Sequence, residues 1–427
     1  MVRSADGTGE SLKLLSLCSM LPDGLRQDVF RRLRPHFEDI ERARDNLCAY
    51  SLASLSADGV LKMLSPIRHH ILERHPVDPN HHTALCAIYF QIANQLPTYM
   101  DEQFKERAVV AAPEIDNLTS LLLTLVHRPT QQVFEAVDRL SWFSYLQQSN
   151  VTVALALVPH LELHPQWKAR CMMVIGNSQR MLCDYQNAIE SLSTAARLFL
   201  DVRDSSQAAW CKCVAGDAYR RIGKYDQAEA QLNEARRMYV ELNEDYGEAV
   251  CRMTLGHLMR VKNNIPAAIE HLSAARQTFQ AASDTLGASQ CTQDLGHIYL
   301  NQSNLESAAA ELELARSAFV RLGSKHDMAA CMQLLGDVRR RQGNFGPAEE
   351  LLADAEKFFT DSGYRHGLAL CAVGFGYLRI DQGRPEQAIA HFKSAYILYV
   401  EIKMHIDAEY CRKAIEQLES TVLPAAK

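Results

Sequence analysis

The stretch that decides the fold runs from Cys211 to Tyr239 and reads CKCVAGDAYRRIGKYDQAEAQLNEARRMY. The same pattern occurs six times at a spacing of 40 residues: cysteine, then glycine, alanine, leucine or phenylalanine, alanine and an aromatic residue. The cysteines that mark the copies, with a seventh in an incomplete last copy, are Cys171, Cys211, Cys251, Cys291, Cys331, Cys371 and Cys411. Six positions that recur at one fixed period indicate a tandem repeat.

The spacing within each copy predicts a helical hairpin. The last four conserved columns are separated by 4, 3 and 4 residues, which places them on one face of an α-helix. Turn-forming pairs such as Gly223-Lys224 and Gly343-Asn344 separate this helix from the cysteine-bearing one before it. Because one hairpin cannot cover its own apolar face, the hairpins are expected to stack into a solenoid.

The small residues of the repeat predict close helix packing. A mid-helix glycine costs about 1 kcal/mol relative to alanine, so a recurring one (Gly216, Gly256 and their equivalents) predicts a neighbour too close for a side chain. Equivalent cysteines in stacked hairpins are expected to lie about 8–10 Å apart or more, too far for a disulfide. They are therefore predicted to be buried reduced thiols. A metal site would need paired ligands, and the sequence has no Cys-x-x-Cys.

These columns resemble the tetratricopeptide repeat. Tyr219 and Tyr299 lie three residues after the glycine, where that family often has tyrosine. The resemblance covers 169–420. The copies are 40 residues long instead of 34 and lack the usual proline after the second helix, which predicts longer helices.

The residues before the repeats carry two turn signals, Leu21-Pro-Asp-Gly-Leu25 and Ala57-Asp58-Gly59. The sequence predicts short helices on either side of the first turn. It predicts a β-hairpin at the second turn, followed by a helix from Ile67 to Arg74. This order is the outline of a small winged-helix domain.

Two segments there, 17–24 (LCSMLPDG) and 61–68 (LKMLSPIR), resemble the winged-helix region of signal-transducing NTPases of the NACHT and NB-ARC type. In fungal members of that group, helices and then tetratricopeptide repeats follow. The resemblance implies the regulatory and sensing half of such an NTPase. Nucleotide is not an expected partner, because the sequence has no phosphate-binding Gly-x-x-x-x-Gly-Lys-[Ser/Thr] loop. The family's Met-His-Asp nucleotide sensor aligns with Met63, Leu64 and Ser65, and so lacks its histidine and aspartate.

The sequence therefore predicts an all-α protein, a tetratricopeptide-type α-solenoid of helical hairpins preceded by a small winged-helix-like region and a helical linker. The predicted boundaries are a flexible N-terminus (1–10), a winged-helix-like domain (11–80), a helical linker region (81–165), six repeats (166–404), a capping helix (405–420) and a tail (421–427).

Composition and motifs favour a binding protein over an enzyme. The net charge of −6 is mild, and no apolar stretch approaches the roughly 18 residues of a membrane span, so a cytoplasmic location is expected. No serine-hydrolase or zinc-protease motif occurs. The histidine-rich segment from His69 to His82 is interpreted as a solvated surface, with zinc binding as the alternative. No catalytic residue, metal or cofactor is expected.

The best candidate binding surface is the concave wall, which the first helices line in repeats of this kind. Its candidate residues follow each glycine by one, four or five positions: Asn177, Arg180, Asp217, Arg220, Arg221, His257, Arg260, His297, Asp337, Arg340, Arg341 and Tyr377. Arginines in line favour an acidic peptide held through its carboxylates. The alternative is that Asp217 and Asp337 pair the arginines locally.

The function expected from the sequence is a protein-interaction scaffold or sensor that binds a protein or peptide on this wall, in signal transduction. The alternative is a transcription-regulator-like protein whose winged-helix-like region contacts DNA. Acidic residues such as Glu38, Asp39 and Glu41 dilute the arginines of that region, so nucleic acid is not the expected partner.

Overall fold

A computed structural model describes residues 9–97, 108–109, 111–146, 151–402 and 404–422. Most of the predicted flexible N-terminus (1–10) and tail (421–427) therefore lies outside the described residues. Residue contacts divide the chain into two compact units, residues 1–204 and residues 205–427. The predicted boundary at 165/166 falls within the first unit.

The first unit begins with short helices and one small β-hairpin. Its elements up to residue 95 are α1 (Glu10–Ser19), α2 (Gln27–Leu33), a 3-10 turn (Arg34–His36), α3 (Ile40–Ala49), β1 (Ser54–Leu55), β2 (Leu61–Lys62), α4 (Ser65–Arg74) and α5 (Pro79–Gln95). The strands are antiparallel, with Ser54 opposite Lys62 and Leu55 opposite Leu61. The hairpin predicted at Ala57-Asp58-Gly59 is thus confirmed. The winged-helix assignment remains a prediction, and α3 is a helix that the sequence reading did not identify.

The rest of the first unit is helical. Its elements are a 3-10 turn (Ala112–Glu114), α6 (Ile115–Leu125), α7 (Gln131–Leu146), α8 (Thr152–Leu157), a 3-10 turn (Val158–His160), α9 (Pro165–Met181) and α10 (Tyr185–Asp201). The last two form the first hairpin of the repeat, and α9 packs against α7.

The second unit consists of five further hairpins and a last single helix. The helices are α11 (Ser205–Arg221), α12 (Tyr225–Leu242), α13 (Asp245–Val261), α14 (Ile265–Ala281), α15 (Thr285–Asn301), α16 (Leu305–Leu322), α17 (Lys325–Arg341), α18 (Phe345–Ser362), α19 (Arg365–Asp381), α20 (Pro385–Glu401) and α21 (His405–Val422). The all-α solenoid of helical hairpins is confirmed. Helices of 17 or 18 residues accommodate the additional length of the 40-residue repeat.

The packing predicted from the small residues is confirmed. A Cβ atom added at Gly216 or Gly256 would lie 2.6 Å from Cγ of the leucine on the paired helix, Leu232 or Leu272. The repeat cysteines from Cys171 to Cys411 are all buried free thiols. Burial raises the pKa of Cys291 to about 12, which keeps this thiol protonated and unreactive at neutral pH.

The second unit curves so that the first helices of its hairpins form the inner wall. Consecutive first helices, α11 with α13 and so on to α19, contact each other more extensively than consecutive second helices do. The array winds far enough for its end to approach its beginning, since a Cβ atom at Gly223 would lie 3.5 Å from Ile406 Cδ1 of α21. No helix within the described part of the chain is long and apolar enough to cross a membrane.

Candidate functional site

The candidate site is the inner wall of the second unit, defined by the side chains that α11, α13, α15, α17 and α19 direct away from the packed columns. The helix geometry positions them. Residues one, four and five places after each packed glycine project beside the face that contacts the second helix. The candidate residues of the second unit at these places remain partly accessible, in contrast to the fully buried leucines of the packing columns, whereas Leu300, four places after Gly296, is buried.

At one part of the wall the charges are paired locally. Two nitrogens of the Arg220 guanidinium, Nε and Nη2, lie 3.1 and 2.6 Å from Asp217 Oδ1 one helical turn earlier. Arg221 Nε lies 3.9 Å from the same carboxylate. A charge-assisted hydrogen bond of this kind reduces the free energy available for an added anion, because the existing bond must first be broken.

The corresponding part of α17 repeats this pairing and extends it. Arg340 donates to Asp337 and also to Asp381 of α19, and its guanidinium lies 5.3 Å from the centroid of the Tyr377 ring. Arg341 Nε lies 3.1 Å from Asp337 Oδ2. Asp217 therefore pairs with Arg220 and Arg221, and Asp337 with Arg340 and Arg341. This is the local pairing that the sequence left as an alternative.

Between these pairs, histidine and aspartate form a third contact. His257 Nε2 on α13 lies 2.5 Å from Asp294 Oδ2 on α15. Burial acts to raise the pKa of Asp294, but His257 and the Arg260 guanidinium outweigh it and lower this pKa below its ordinary value. Burial, followed by the charge of Arg260, lowers the pKa of His297 to about 4, so this imidazole is neutral at pH 7.

Arg260 differs from the other arginines of this wall. Its buried Nε has no hydrogen-bond partner, and the guanidinium forms no ion pair within the described residues. Burial lowers its pKa, Asp294 acts in the opposite direction, and Arg220 and Arg221 add to the lowering. A guanidinium that is partly desolvated and has no hydrogen-bonded or ion-paired acceptor is a site where a carboxylate or a similar anion would gain binding free energy.

The two remaining candidates, Asn177 and Arg180, belong to α9 in the first unit. Asn177 is buried, and its Nδ2 donates to the Met173 carbonyl at 3.0 Å, so its side chain is not presented to a partner. Arg180 Nη2 lies 3.7 Å from Met181 Sδ.

Sequence reasoning missed Asp294, the acceptor for His257. A signal was present, because the equivalent positions hold uncharged residues, Val174, Val214, Thr254, Leu334 and Gly374. A charged residue in an otherwise uncharged column indicates a local role. Asp381 was missed because its partner, Arg340, lies on another helix.

Elsewhere, two arginines of the N-terminal region, where the sequence left DNA contact as the alternative, lie beside acidic groups: Arg34 bonds to Glu41, and Arg44 Nη2 lies 2.7 Å from Asp45. Over the described ranges, no group of three or more histidine, cysteine, aspartate or glutamate residues is arranged to hold a metal ion.

Comparison with known proteins agrees with this architecture. A family model described as tetratricopeptide repeat matches residues 169–241 and 289–361. No curated protein matches the chain in sequence.

Three solved structures are similar to this chain in fold. The apo form of RapI has 12% identity and a TM-score of 0.54, with 79% of this chain and 91% of that one covered. A Rap conjugation gene regulator of the plasmid pLS20, in complex with the Phr* peptide, has 13% identity and a TM-score of 0.50, with 80% and 96% covered. A signal transduction ATPase with a tetratricopeptide repeat sensor, from Pyrococcus horikoshii, has 13% identity and a TM-score of 0.52; the match covers 98% of this chain and 64% of that one. At these identities the likeness shows the fold alone.

Proposed function

We propose that this chain is a protein-interaction scaffold that binds an extended peptide or protein segment along the inner wall of its second unit. A solenoid holds its fold with repeating columns and leaves the others free to vary, and the inner-wall columns are among those that vary here. The bound Phr* peptide of one similar structure and the sensor role named for another support a place in signal transduction.

The observation that carries the proposal is the state of Arg260. Arg220 and Arg340 already bind carboxylates of this chain. The four arginines of this column, which include Arg180 and Arg260, are therefore not equivalent binding groups for an acidic peptide. A single acceptor-free guanidinium favours a segment with one carboxylate at a defined position instead. The paired arginines and the His257–Asp294 contact then shape the wall on either side of that position.

The test selects short random peptides displayed on phage against the full chain and measures their affinity by fluorescence polarisation. A charge-assisted hydrogen bond contributes about 1.5–3 kcal/mol. Arg260→Gln should therefore weaken acidic selected peptides about ten- to hundredfold, an effect that added salt should reproduce in part.

Arg237→Gln is the matched control, because Arg237 is an exposed arginine of the second helix α12 and lies outside the wall. Its removal should leave the affinity unchanged. Peptides whose binding is the same in both variants would refute the assignment of Arg260, and the absence of any selected peptide that binds the inner wall would refute the proposed function.

A further inference from the structure

A cavity of about 270 Å³ lies outside the inner wall, where the turn between α14 and α15 meets α16. Its apolar lining comes from Ala288, Leu314, Ala315 and Ala318, and Arg321 stands at its rim. Ser289 and Thr292 of α15 line it, but none of the twelve candidate residues of the inner wall does. The volume is slightly below the roughly 300–1,000 Å³ of small-molecule pockets, which suits a single inserted side chain.

The cavity exists because the repeat departs from its own pattern on one face of α16. Ala318 replaces a larger residue in every other copy, where the column holds Leu198, Met238, Thr278, Phe358 and Leu398. On the facing helix α15, Thr292 occurs where α13 and α17 have Arg252 and Met332. Small side chains at these positions leave the space that a larger one would fill.

Two further columns of the same face depart from the pattern. Leu314 is 59% exposed in a column that otherwise holds small or polar residues: Thr194, Glu234, Ala274, Asp354 and Ser394. Arg321 reverses the charge of a column that otherwise holds Asp201, Glu241, Ala281, Asp361 and Glu401. Residues 314, 318 and 321 are spaced four and three apart, so they share one helix face.

Asp284 and Thr292, two of the polar residues around the cavity, have hydrogen-bond partners within the chain. Asp284 accepts from the Gly287 backbone N–H at 3.0 Å and from the Tyr246 hydroxyl at 3.0 Å. The Thr292 hydroxyl donates to the carbonyl of Ala288 in its own helix. Arg321 forms no hydrogen bond or ion pair with any residue that the structure describes.

We infer that this face of α16, defined by Leu314, Ala318 and Arg321, is a second docking surface. Its occupant is a segment of a partner protein that inserts one apolar side chain into the cavity and places a carboxylate against Arg321. The apolar lining fits the side chain, and the unpaired charge at the rim fits the carboxylate. This surface is independent of the inner wall.

The test transplants the pattern of another hairpin onto α16. The triple variant Leu314→Glu, Ala318→Met, Arg321→Glu gives α16 the residues that α12 carries at Glu234, Met238 and Glu241. Phage-displayed random peptides are selected on the full chain and counter-selected on this variant. The enriched peptides should pair a leucine or aromatic residue with a nearby aspartate or glutamate, and should bind the triple variant at least about tenfold more weakly.

Two controls accompany it. The variant Asp354→Glu, Phe358→Met, Asp361→Glu installs the same residues in the same columns of α18 and should leave binding unchanged. The second control, Arg321→Glu alone, changes only an exposed side chain and should also weaken binding, and this loss cannot be attributed to misfolding. Circular dichroism checks that the triple variant is folded.

The outcomes separate this proposal from the inner-wall one. Peptides that lose affinity in the triple variant and keep it in Arg260→Gln support the second surface even if the inner wall binds nothing. Enriched peptides without a carboxylate, or an affinity that depends on Arg260 alone, would overturn it. Self-association that the triple variant abolishes, measured by sedimentation, would assign the face to a second copy of the chain and would also overturn the proposal.

Discussion

The glycine that recurs five residues after each repeat cysteine limits the distance between the two helices of its hairpin. At Gly256 a Cβ atom would lie 2.6 Å from Leu272 Cγ and 3.4 Å from the Ala268 carbonyl oxygen. The clash is with the branch point of a fully buried leucine, not with the flexible end of a side chain. Such a contact can be relieved only by moving the helices apart.

We predict that Gly256→Ala destabilises the second unit. Overpacking costs about 1–3 kcal/mol, and the higher helix propensity of alanine offsets about 1 kcal/mol of it. Gln277→Ala is the control, because it places alanine at an exposed position of α14, the other helix of the same hairpin, without adding atoms to the packed face. Urea unfolding should give a lower midpoint for the first variant and an equal or higher one for the second; a higher midpoint for Gly256→Ala would contradict the packing argument.

At the scale of the elements, a residue with positive φ follows each helix of the array, within and between hairpins, so these residues recur every 20 positions. Between the helices of the array these are Cys183, Arg203, Gly223, Asn243, Asn263, Ser283, Ser303, Gly323, Gly343, Gly363 and Gly383. Each stops its helix, as at Ser303, where the N–H of Asn304 returns to the Tyr299 carbonyl at 2.9 Å. Several copies make this turn without glycine, so tertiary packing imposes the conformation there.

We predict that Ser303→Gly stabilises the chain and that Gly343→Ser destabilises it. The left-handed conformation costs a non-glycine residue about 1–2 kcal/mol, and the greater chain entropy of glycine offsets about 0.5–1 kcal/mol of this. Net changes of up to about 1.5 kcal/mol with opposite signs should therefore appear in thermal unfolding. The two residues make the same backbone turn, so changes of equal sign would refute this explanation.

At the scale of the whole molecule, a buried polar network joins distant segments of the first unit. The Tyr89 hydroxyl of α5 donates to Glu114 Oε2 at 2.7 Å. Asn117 Nδ2 donates to the same oxygen and to the Gly24 carbonyl, and the Asp23 backbone N–H donates to Asn117 Oδ1 at 3.0 Å. Burial raises the pKa of Glu114, while the hydrogen bonds from Tyr89 and Asn117 lower it in part.

We predict that Tyr89→Phe destabilises the first unit by about 1–3 kcal/mol, since it removes a donor from a buried carboxylate. It should also raise the pKa of Glu114 further. A carboxyl group whose pKa is higher in the folded than in the unfolded state stabilises the fold at a pH below its unfolded-state pKa of about 4.3. This stabilisation is lost as the pH rises through the folded-state pKa. The effect of the substitution should therefore be larger at neutral pH than at acidic pH.

Hydrogen exchange of α5 and α6, followed by mass spectrometry at both pH values, measures this locally. Tyr50→Phe is the control, because Tyr50 is about half exposed and lies outside the network. A Tyr89→Phe effect that is independent of pH would show that Glu114 is not the group through which it acts.

The repeat pattern alone predicted the helical hairpins, the close helix approach at the glycines and the burial of the repeat cysteines; that a leucine faces Gly216 and Gly256 was learned from the structure. These features depend on contacts within one hairpin or between equivalent positions of neighbouring hairpins, so a fixed period specifies them. Cys211, Gly216 and Leu232 could be placed without coordinates for this reason.

Which polar residues pair could be read only from the structure, because the pairing residues occupy columns that differ from copy to copy, so the repeat period does not specify their contacts. His257 meets Asp294 and Arg340 meets Asp381 across helices, whereas Arg260, in the same column as Arg220, has no acceptor. The cavity beside Ala318 likewise depends on small residues of α15 and α16 that face each other. Periodicity specifies the packed columns, and the three-dimensional arrangement of the remaining side chains decides where a partner can bind.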